Sequence, residues 1–160
     1  MATILLYGDT ATHPSMRHEV PLEIIDPFLF VERDVQAFIL TGRLEDARVA
    51  EARPDAQVVL TDEFGLHDLV AEGMARHDAD LEVVVRALRQ WGVEAALVST
   101  DLPVAVADRV RAAGVELTVD RLTLEGRRRA KTQAELEGIG RAQRAAEAGM
   151  AAAERLIRGA

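Results

Sequence analysis

The chain has 160 residues, enough for one ordinary domain or one domain with an appendage. Apolar residues make up 49% and charged residues 29%, which excludes wholesale disorder. A formal charge of −8 argues against a general nucleic-acid binder. The absence of cysteine excludes disulfides, thiolate metal sites and a cysteine nucleophile.

Charge divides the chain into two parts. Residues 1–120 hold 22 acidic and 10 basic side chains, whereas residues 121–160 hold 5 acidic and 9 basic ones. We therefore expect two structural regions, with the seam between Asp120 and Arg129. No apolar run is long enough to cross a bilayer, and the N-terminus lacks the basic region and cleavage site of a secretory signal. A cytoplasmic location without a membrane partner is the expectation.

The first part of the chain predicts a strand, an irregular segment and a hairpin. The apolar run Thr3–Tyr7 predicts a buried strand. Three prolines within Thr10–Pro27 exclude a long helix there. The β-prone runs Phe28–Glu32 and Val35–Leu40 predict a hairpin that turns at Arg33-Asp34.

Helices and strands then alternate along the chain. The predicted helices are Arg43–Arg53, Glu63–Met74, one capped by Asp80 that ends at Gly92, and Pro103–Ala113; the predicted strands are Gln57–Thr61, Ala95–Ser99 and Val115–Val119. Such alternation favours a partly parallel sheet. The sequence therefore predicts an α/β fold with a mixed β-sheet of about five to six strands flanked by helices.

The tail predicts one long helix. Thr132 and Glu135 have the spacing of a capping box, and the helix can run to about Ile157. Its apolar stripe consists of Leu136, Ile139, Ala146, Met150, Ala153 and Ile157. Because no later segment is given for this stripe to cover, we expect it to open a second domain that has been cut off. Without that domain, it is expected to self-associate or to fold back.

Motifs that would indicate catalysis are weak in this sequence. Ser99-Thr100-Asp101 follows a predicted strand, where α/β proteins place functional groups, but it is better interpreted as a turn. Gly138-Ile139-Gly140 lies inside the tail helix, which argues against a phosphate loop. The basic run Arg127–Arg129 with Lys131 is interpreted as an inter-domain hinge and not as a nucleic-acid patch.

The histidines and their acidic neighbours invite a metal hypothesis. The relevant residues are His18, Glu19, His67, Asp68, His77, Asp78 and Asp80. Their spacing matches no metal-binding motif, so surface or capping roles are preferred. No metal ligand and no catalytic residue is therefore assigned within this chain.

Two segments carry a family resemblance. Arg129–Gln143 resembles the R-x-K-(S/T)-x-x-E-(L/I)-x-x-I-R-x-A junction of the creatinase, Xaa-Pro aminopeptidase and prolidase (M24 metallopeptidase) family. Asp9–Thr12, Ser15–His18 and Asp26–Val31 resemble the N-terminal pattern of the same family. The resemblance implies a creatinase-like N-terminal α/β domain at 1–125, a basic linker at 126–131, and the first helix of a truncated pita-bread catalytic domain at 132–160.

The resemblance also implies a function. The chain would be the non-catalytic N-terminal domain of a cytoplasmic metallopeptidase that cleaves Xaa-Pro bonds. It would support homodimer formation and shape access to the active site, and its direct partner would be the C-terminal domain of the same polypeptide. Two divalent metals (Mn, Co or Zn) would be bound by that second domain and not by this chain. Arg17 and His18 would lie next to the substrate of the neighbouring protomer.

Two alternatives remain open. The chain could be a stand-alone α/β interaction or small-ligand-binding module, since a fold alone does not determine function. It could also be a minimal enzyme that uses Ser99, Asp101 or the histidines, which a substrate screen with and without added metal would detect.

Overall fold

A computed structural model of the chain describes residues 2–159. Within that range the chain forms six strands and seven α-helices. The strands are β1 (Ile4–Gly8), β2 (Phe28–Arg33), β3 (Gln36–Thr41), β4 (Ala56–Leu60), β5 (Ala95–Val98) and β6 (Glu116–Val119). The helices are α1 (Pro14–Glu19), α2 (Asp46–Ala52), α3 (Leu66–Ala71), α4 (Arg76–Gln90), α5 (Val104–Ala112), α6 (Arg121–Arg129) and α7 (Gln133–Arg158).

The described strands form one mixed sheet in the order β4-β3-β2-β1-β5-β6. β2 is antiparallel to both of its neighbours, whereas the other pairs are parallel. Consequently β1, β3, β4, β5 and β6 all end at the same edge of the sheet, which we call the carboxyl edge, and β2 begins there. The predicted α/β fold with a mixed sheet, flanking helices and a long C-terminal helix is confirmed.

Apolar side chains pack on both faces of the sheet. Because successive residues of a strand point to opposite faces, Leu5 of β1 joins one core while Ile4 and Leu6 join the other. Helices α3, α4 and α5 cover the first core, to which α4 contributes the fully buried Leu88. Helices α1 and α2 cover the second, where Met16 is buried. The result is a three-layer arrangement of helices, sheet and helices.

The C-terminal end of α4 is fixed from two sides. The Trp91 ring stacks on Phe38 at 5.0 Å between centroids and meets the edge of Phe64 at 6.1 Å. The Arg33 guanidinium donates hydrogen bonds to the carbonyls of Trp91 (2.6 Å) and Gly92 (3.0 Å). Gly92 has a φ of 64°, the left-handed conformation that ends many helices at glycine.

The hairpin turn lies one residue later than predicted. β2 extends through Arg33, and the two turn residues are Asp34 and Val35, with φ values of 50° and 68°. Positive φ at both central positions matches the twist of the flanking strands. A β-branched residue rarely adopts a positive φ, so the β-prone run Val35–Leu40 predicted that Val35 belongs to the strand.

Two helix predictions need correction. The predicted helix Glu63–Met74 is interrupted at Gly65, whose φ is 81°, so a 3₁₀ turn precedes α3. α4 begins at Arg76 and not after Asp80, which lies inside the helix and binds Arg76. Within the segment 126–131, which stays a predicted linker, the chain is helical through Arg129 as part of α6.

The chain divides into two compact units, Met1–Glu125 and Gly126–Ala160. The first unit contains both apolar cores. The second contains α7, and the predicted capping box at its start is confirmed. The Glu135 amide donates to Thr132 Oγ1 at 3.2 Å, and the Thr132 amide donates to Glu135 Oε2 at 2.8 Å. None of the described side chains of α7 is buried.

Candidate functional site

Helix α1 carries both residues that the sequence places next to a substrate. The helix follows β1 from the carboxyl edge and starts with Pro14, whose fixed φ suits a first helical position. Met16 anchors it in the core with 1% exposure. Arg17 is exposed and His18 is half-buried. The helix therefore holds its apolar side against the sheet and turns the Arg17 side chain toward solvent.

The loop before α1 is held by one carboxylate. Asp9 Oδ1 accepts a hydrogen bond from the Thr12 amide at 2.6 Å, and Asp9 Oδ2 accepts one from the Thr12 hydroxyl at 2.7 Å. These two hydrogen bonds lower the pKa of Asp9. The ring nitrogen Nδ1 of His13 lies 3.5 Å from Asp9 Oδ2. The entry to α1 is thereby fixed by local polar contacts.

A buried threonine ties the two sides of α1 together. The Thr10 hydroxyl donates to the Leu22 carbonyl at 2.6 Å and accepts from the Ile24 amide at 2.8 Å. The Thr10 amide also donates to the Ile24 carbonyl at 2.9 Å. No local sequence motif indicates this role of Thr10, because its partners lie 12 and 14 residues away.

Arg53, just beyond α2, holds the other end of α1. Its guanidinium lies 5.6 Å from the centroid of the Phe30 ring and donates to the Glu19 carbonyl. It also forms a two-pronged ion pair with Asp55, with N···O distances of 2.9 and 2.7 Å. Together with Thr10, this arginine makes α1 a well-supported element.

The turn after β5 has no arrangement that indicates catalysis. Thr100 Oγ1 donates to Asp101 Oδ1 at 3.1 Å, and the Leu102 amide donates to the Ser99 carbonyl at 3.4 Å. Thr100 and Asp101 are exposed. These contacts agree with the interpretation of this segment as a turn that leads into α5.

The histidine and acidic candidates lie at separate places. His67 is exposed on α3, with Nδ1 2.8 Å from Asp62 Oδ1, while the other oxygen of Asp62 accepts from Arg43 at 2.8 Å. His77 and Asp78 are exposed on the first turn of α4. Between residues 2 and 159, no group of three or more His, Asp or Glu side chains is placed to hold a metal ion.

The glycine and basic candidates lie in or near the second unit. Gly138 and Gly140 are inside α7 and follow no strand, unlike the glycines of a phosphate loop. Arg127–Arg129 form the last turn of α6, and Lys131 donates from Nζ to the Arg128 carbonyl. Among the residues described, no helix is both long and apolar enough to cross a membrane.

Comparison with known proteins shows a likeness of fold and none of sequence. No protein-family model matches the chain, and a search of curated proteins finds no significant match. A solved Xaa-Pro dipeptidase from Bacillus anthracis superposes with a TM-score of 0.60 and 14% identity, over 84% of this chain and 33% of that one. The N-terminal domain of the cytoplasmic peptidase PepQ from Mycobacterium tuberculosis H37Rv gives 0.49 and 15%, over 78% and 87%.

The dipeptidase comparison concerns only part of a larger protein, since the chain spans about a third of that dipeptidase. At 14% identity, the superposition establishes a shared fold. Together with the six-stranded mixed sheet of the described residues and the flanking helices, it shows that the chain has an α/β fold of the creatinase N-terminal domain type.

Proposed function

We propose that the chain is the non-catalytic N-terminal domain of a cytoplasmic Xaa-Pro aminopeptidase- or prolidase-like metallopeptidase. The observation that carries this proposal is the superposition on an Xaa-Pro dipeptidase, which covers 84% of this chain but only 33% of that protein. A domain that accounts for a third of a peptidase fits a supporting role. That role would be oligomerisation and control of access to an active site built elsewhere.

The reaction itself would be carried by a C-terminal domain of the same polypeptide. In this proposal, residues 1–125 form the N-terminal domain, 126–131 connect the two domains, and 132–160 open the catalytic one. Helix α7 supports this assignment through its exposed apolar side chains, such as Leu136 (52% exposed), Met150 (64%) and Ile157 (78%). The second domain would cover this stripe and bind two divalent metals (Mn, Co or Zn), which supply an activated water for peptide hydrolysis.

Helix α1 would reach the active site of the neighbouring protomer in a homodimer. Thr10 and Arg53 hold this helix from both ends, and the Arg17 side chain is exposed. A guanidinium presented on a well-supported element can bind the carboxylate of a short peptide substrate in two-pronged fashion. His18, on the next position, would line the same entrance.

The proposal that this chain is not itself catalytic is tested by assaying the purified 160-residue chain. With an Xaa-Pro peptide and added Mn²⁺, Co²⁺ or Zn²⁺, we expect no release of the N-terminal residue above the protein-free rate. Metal-dependent release by the pure chain would contradict the proposal. It would favour a complete enzyme that uses groups such as Ser99 or Asp101.

The role of α1 is tested in the longer polypeptide that the proposal requires. There, Arg17→Ala is expected to raise KM for an Xaa-Pro dipeptide by about tenfold while leaving kcat nearly unchanged, because one charged hydrogen-bonding partner is lost. Arg89→Ala, which removes an exposed arginine from α4, is the matched control and should leave KM unchanged. Equal effects of the two substitutions would argue against a substrate contact by Arg17.

A cavity of about 370 Å³ at the carboxyl edge favours a second candidate function, a small-ligand-binding α/β module without a peptidase role. The two candidates differ in the length of the natural protein. The module would be complete near 17.4 kDa, the mass of the chain itself.

A further inference from the structure

The cavity lies where β1, β2 and β3 meet the start of α4. Tyr7 and Thr41, near the ends of β1 and β3, line it, and Asp80 in the second turn of α4 faces the same space. Leu40 and Val84 supply part of an apolar wall. A volume of about 370 Å³ suits a small organic molecule, and the carboxyl edge of an α/β sheet is where such molecules commonly bind.

Two hydroxyl groups of the cavity lack protein partners. Thr41 is 97% buried, since only 3% of its surface is exposed, yet its hydroxyl forms no hydrogen bond with any residue of the described range 2–159. The half-buried Tyr7 phenol likewise has no hydrogen-bond partner in that range. Burial raises the pKa of Tyr7, and the nearby Asp80 raises it further, so the phenol remains neutral. Neither hydroxyl oxygen is a buried atom without a partner, so both reach the space of the cavity and can bond to a molecule bound there.

Charged side chains of both signs surround the cavity. The carboxylates of Asp26, Glu45 and Asp80 and the guanidinium of Arg76 line it, and Glu45 forms an ion pair with Arg48 outside the lining. Arg76 Nε lies 3.0 Å from Asp80 Oδ1, but the arginine side chain is 68% exposed and therefore lies at the solvent side. Asp80 is half-buried, with 34% side-chain exposure, and keeps lone pairs for another donor.

We propose that this cavity binds a small organic cation, a primary ammonium group on an apolar body. The ammonium has three donors, which match the Asp80 carboxylate and the Thr41 and Tyr7 hydroxyl oxygens. The apolar body packs against Leu40 and Val84. This site is independent of the proposed peptidase role, because its residues belong to the first unit and do not include Arg17 or His18.

Three probes with the same phenyl group separate the possible ligand chemistries. Phenethylammonium is titrated into the ¹⁵N-labelled 160-residue chain, in parallel with neutral 2-phenylethanol and anionic 3-phenylpropionate. We expect saturable amide shifts at Tyr7, Thr41 and Asp80 with the ammonium, and binding weaker by about tenfold or more for the other two. Equal binding of the alcohol, preferred binding of the carboxylate, or no saturation by about 10 mM ammonium would overturn the proposal.

Matched variants locate the ammonium group. Asp80→Asn is expected to weaken phenethylammonium binding about tenfold, because a charge-assisted hydrogen bond is lost. Asp78→Asn makes the same charge change two residues earlier on α4, at an exposed position outside the cavity lining, and should leave binding unchanged. Equal weakening by both would indicate general charge attraction and overturn the proposal.

The Thr41 hydroxyl provides a second test that leaves all charges in place. Thr41→Val is expected to weaken phenethylammonium binding several-fold while keeping the melting temperature, since the hydroxyl it removes has no partner among the described residues. Unchanged binding in this variant would contradict the contact with Thr41. If Asp80→Asn fails to fold, the Thr41→Val measurement still tests whether the ammonium binds in this cavity.

Discussion

The two units of the chain are stabilised by different forces. Met1–Glu125 surrounds a sheet with two apolar cores, in which side chains such as Leu88 are completely buried. Gly126–Ala160 contains a helix of 26 residues, α7, with no buried side chain among those described. Tertiary packing therefore stabilises the first unit, whereas α7 depends on interactions within the helix itself.

The interactions that stabilise α7 locally lie within the helix itself. The capping box at Thr132 begins it, and side-chain pairs four residues apart follow along its surface, Gln133 with Glu137 and Gln143 with Glu147, each at 3.1 Å. Each such pair contributes only about 0.2–0.5 kcal/mol. A strong local helix signal can therefore form a helix that buries no side chain in an apolar core. To reach the stability of α4, α7 would need to bury its apolar side chains against a partner surface.

The largest expected difference between the units comes from removing a leucine. Leu88→Ala leaves a cavity in the first core and should lower the free energy of unfolding by about 2–5 kcal/mol. Leu136→Ala removes a side chain that is 52% exposed, and should change the free energy of unfolding of the first unit by less than about 0.5 kcal/mol. Urea unfolding followed by Trp91 fluorescence measures both, and similar losses would contradict the division of the chain into these units.

Two glycine-to-alanine substitutions should change stability in opposite directions. Gly92 has a φ of 64°, and a Cβ there would lie 2.8 Å from an Arg33 nitrogen, so Gly92→Ala should destabilise the first unit by about 1–2 kcal/mol. Gly149 lies inside α7 with nothing within 4 Å of a new Cβ, so Gly149→Ala should stabilise that helix by about 1 kcal/mol. Urea unfolding reports the first change, and amide exchange across α7 reports the second.

The sign of each change distinguishes the two environments. A stabilising Gly92→Ala would mean that the left-handed end of α4 is not required. A destabilising Gly149→Ala would mean that α7 packs through a close contact at this glycine.

Loss of the capping box should weaken only α7. In Thr132→Ala, the amide of Glu135 loses its acceptor, and the helix should lose about 1 kcal/mol of stability. We expect faster amide exchange in the first turns of α7 and an unchanged urea midpoint for the first unit. Thr132→Ser, which keeps the hydroxyl, is the matched control and should restore slow exchange. Equally fast exchange in that variant would argue against the cap.

The smallest expected effect concerns an ion pair that joins α4 to α5. Burial tends to raise the pKa of Glu82, but hydrogen bonds from Arg109 and Arg86 outweigh it, so the pKa lies below its ordinary value of 4.5. The stabilisation is therefore complete above about pH 4.5 and is lost as the pH falls toward the lower folded-state pKa. Glu82→Gln should cost about 0.5–1 kcal/mol at neutral pH.

A pH series tests the direction of this shift. The difference in unfolding free energy between the original chain and Glu82→Gln should shrink as the pH falls below about 4.5. A constant difference over this range would indicate that Glu82 acts through packing and not through its charge.

Features that depend on neighbouring residues could be predicted from the sequence. The strands follow short apolar runs, and the start of α7 follows from Thr132 and Glu135. Helix α6 was not predicted, although its start has a local signal. Asp120 Oδ1 accepts a hydrogen bond from the Thr123 amide at 3.0 Å, as a helix cap does. Only Leu124 of that helix is buried, so no apolar period indicated it.

Features that depend on distant residues could not be predicted. The turn at Asp34 and Val35 follows from the register of β2 and β3, and strand pairing forces the valine into an unfavourable conformation. The cavity brings together Tyr7, Thr41 and Asp80 from three separate elements, and no short motif contains them. Asp80 has the appearance of a helix cap in sequence, and only the start of α4 at Arg76 places it inside the helix.

The intact mass of the natural protein in its source cells tests the proposed function most directly. We expect a mass at least about twice the 17.4 kDa of this chain, because a catalytic domain of ordinary size would follow α7. A mass near 17.4 kDa would contradict the assignment of the chain as the N-terminal domain of a peptidase. The ligand-binding module would then be the better account of the same fold.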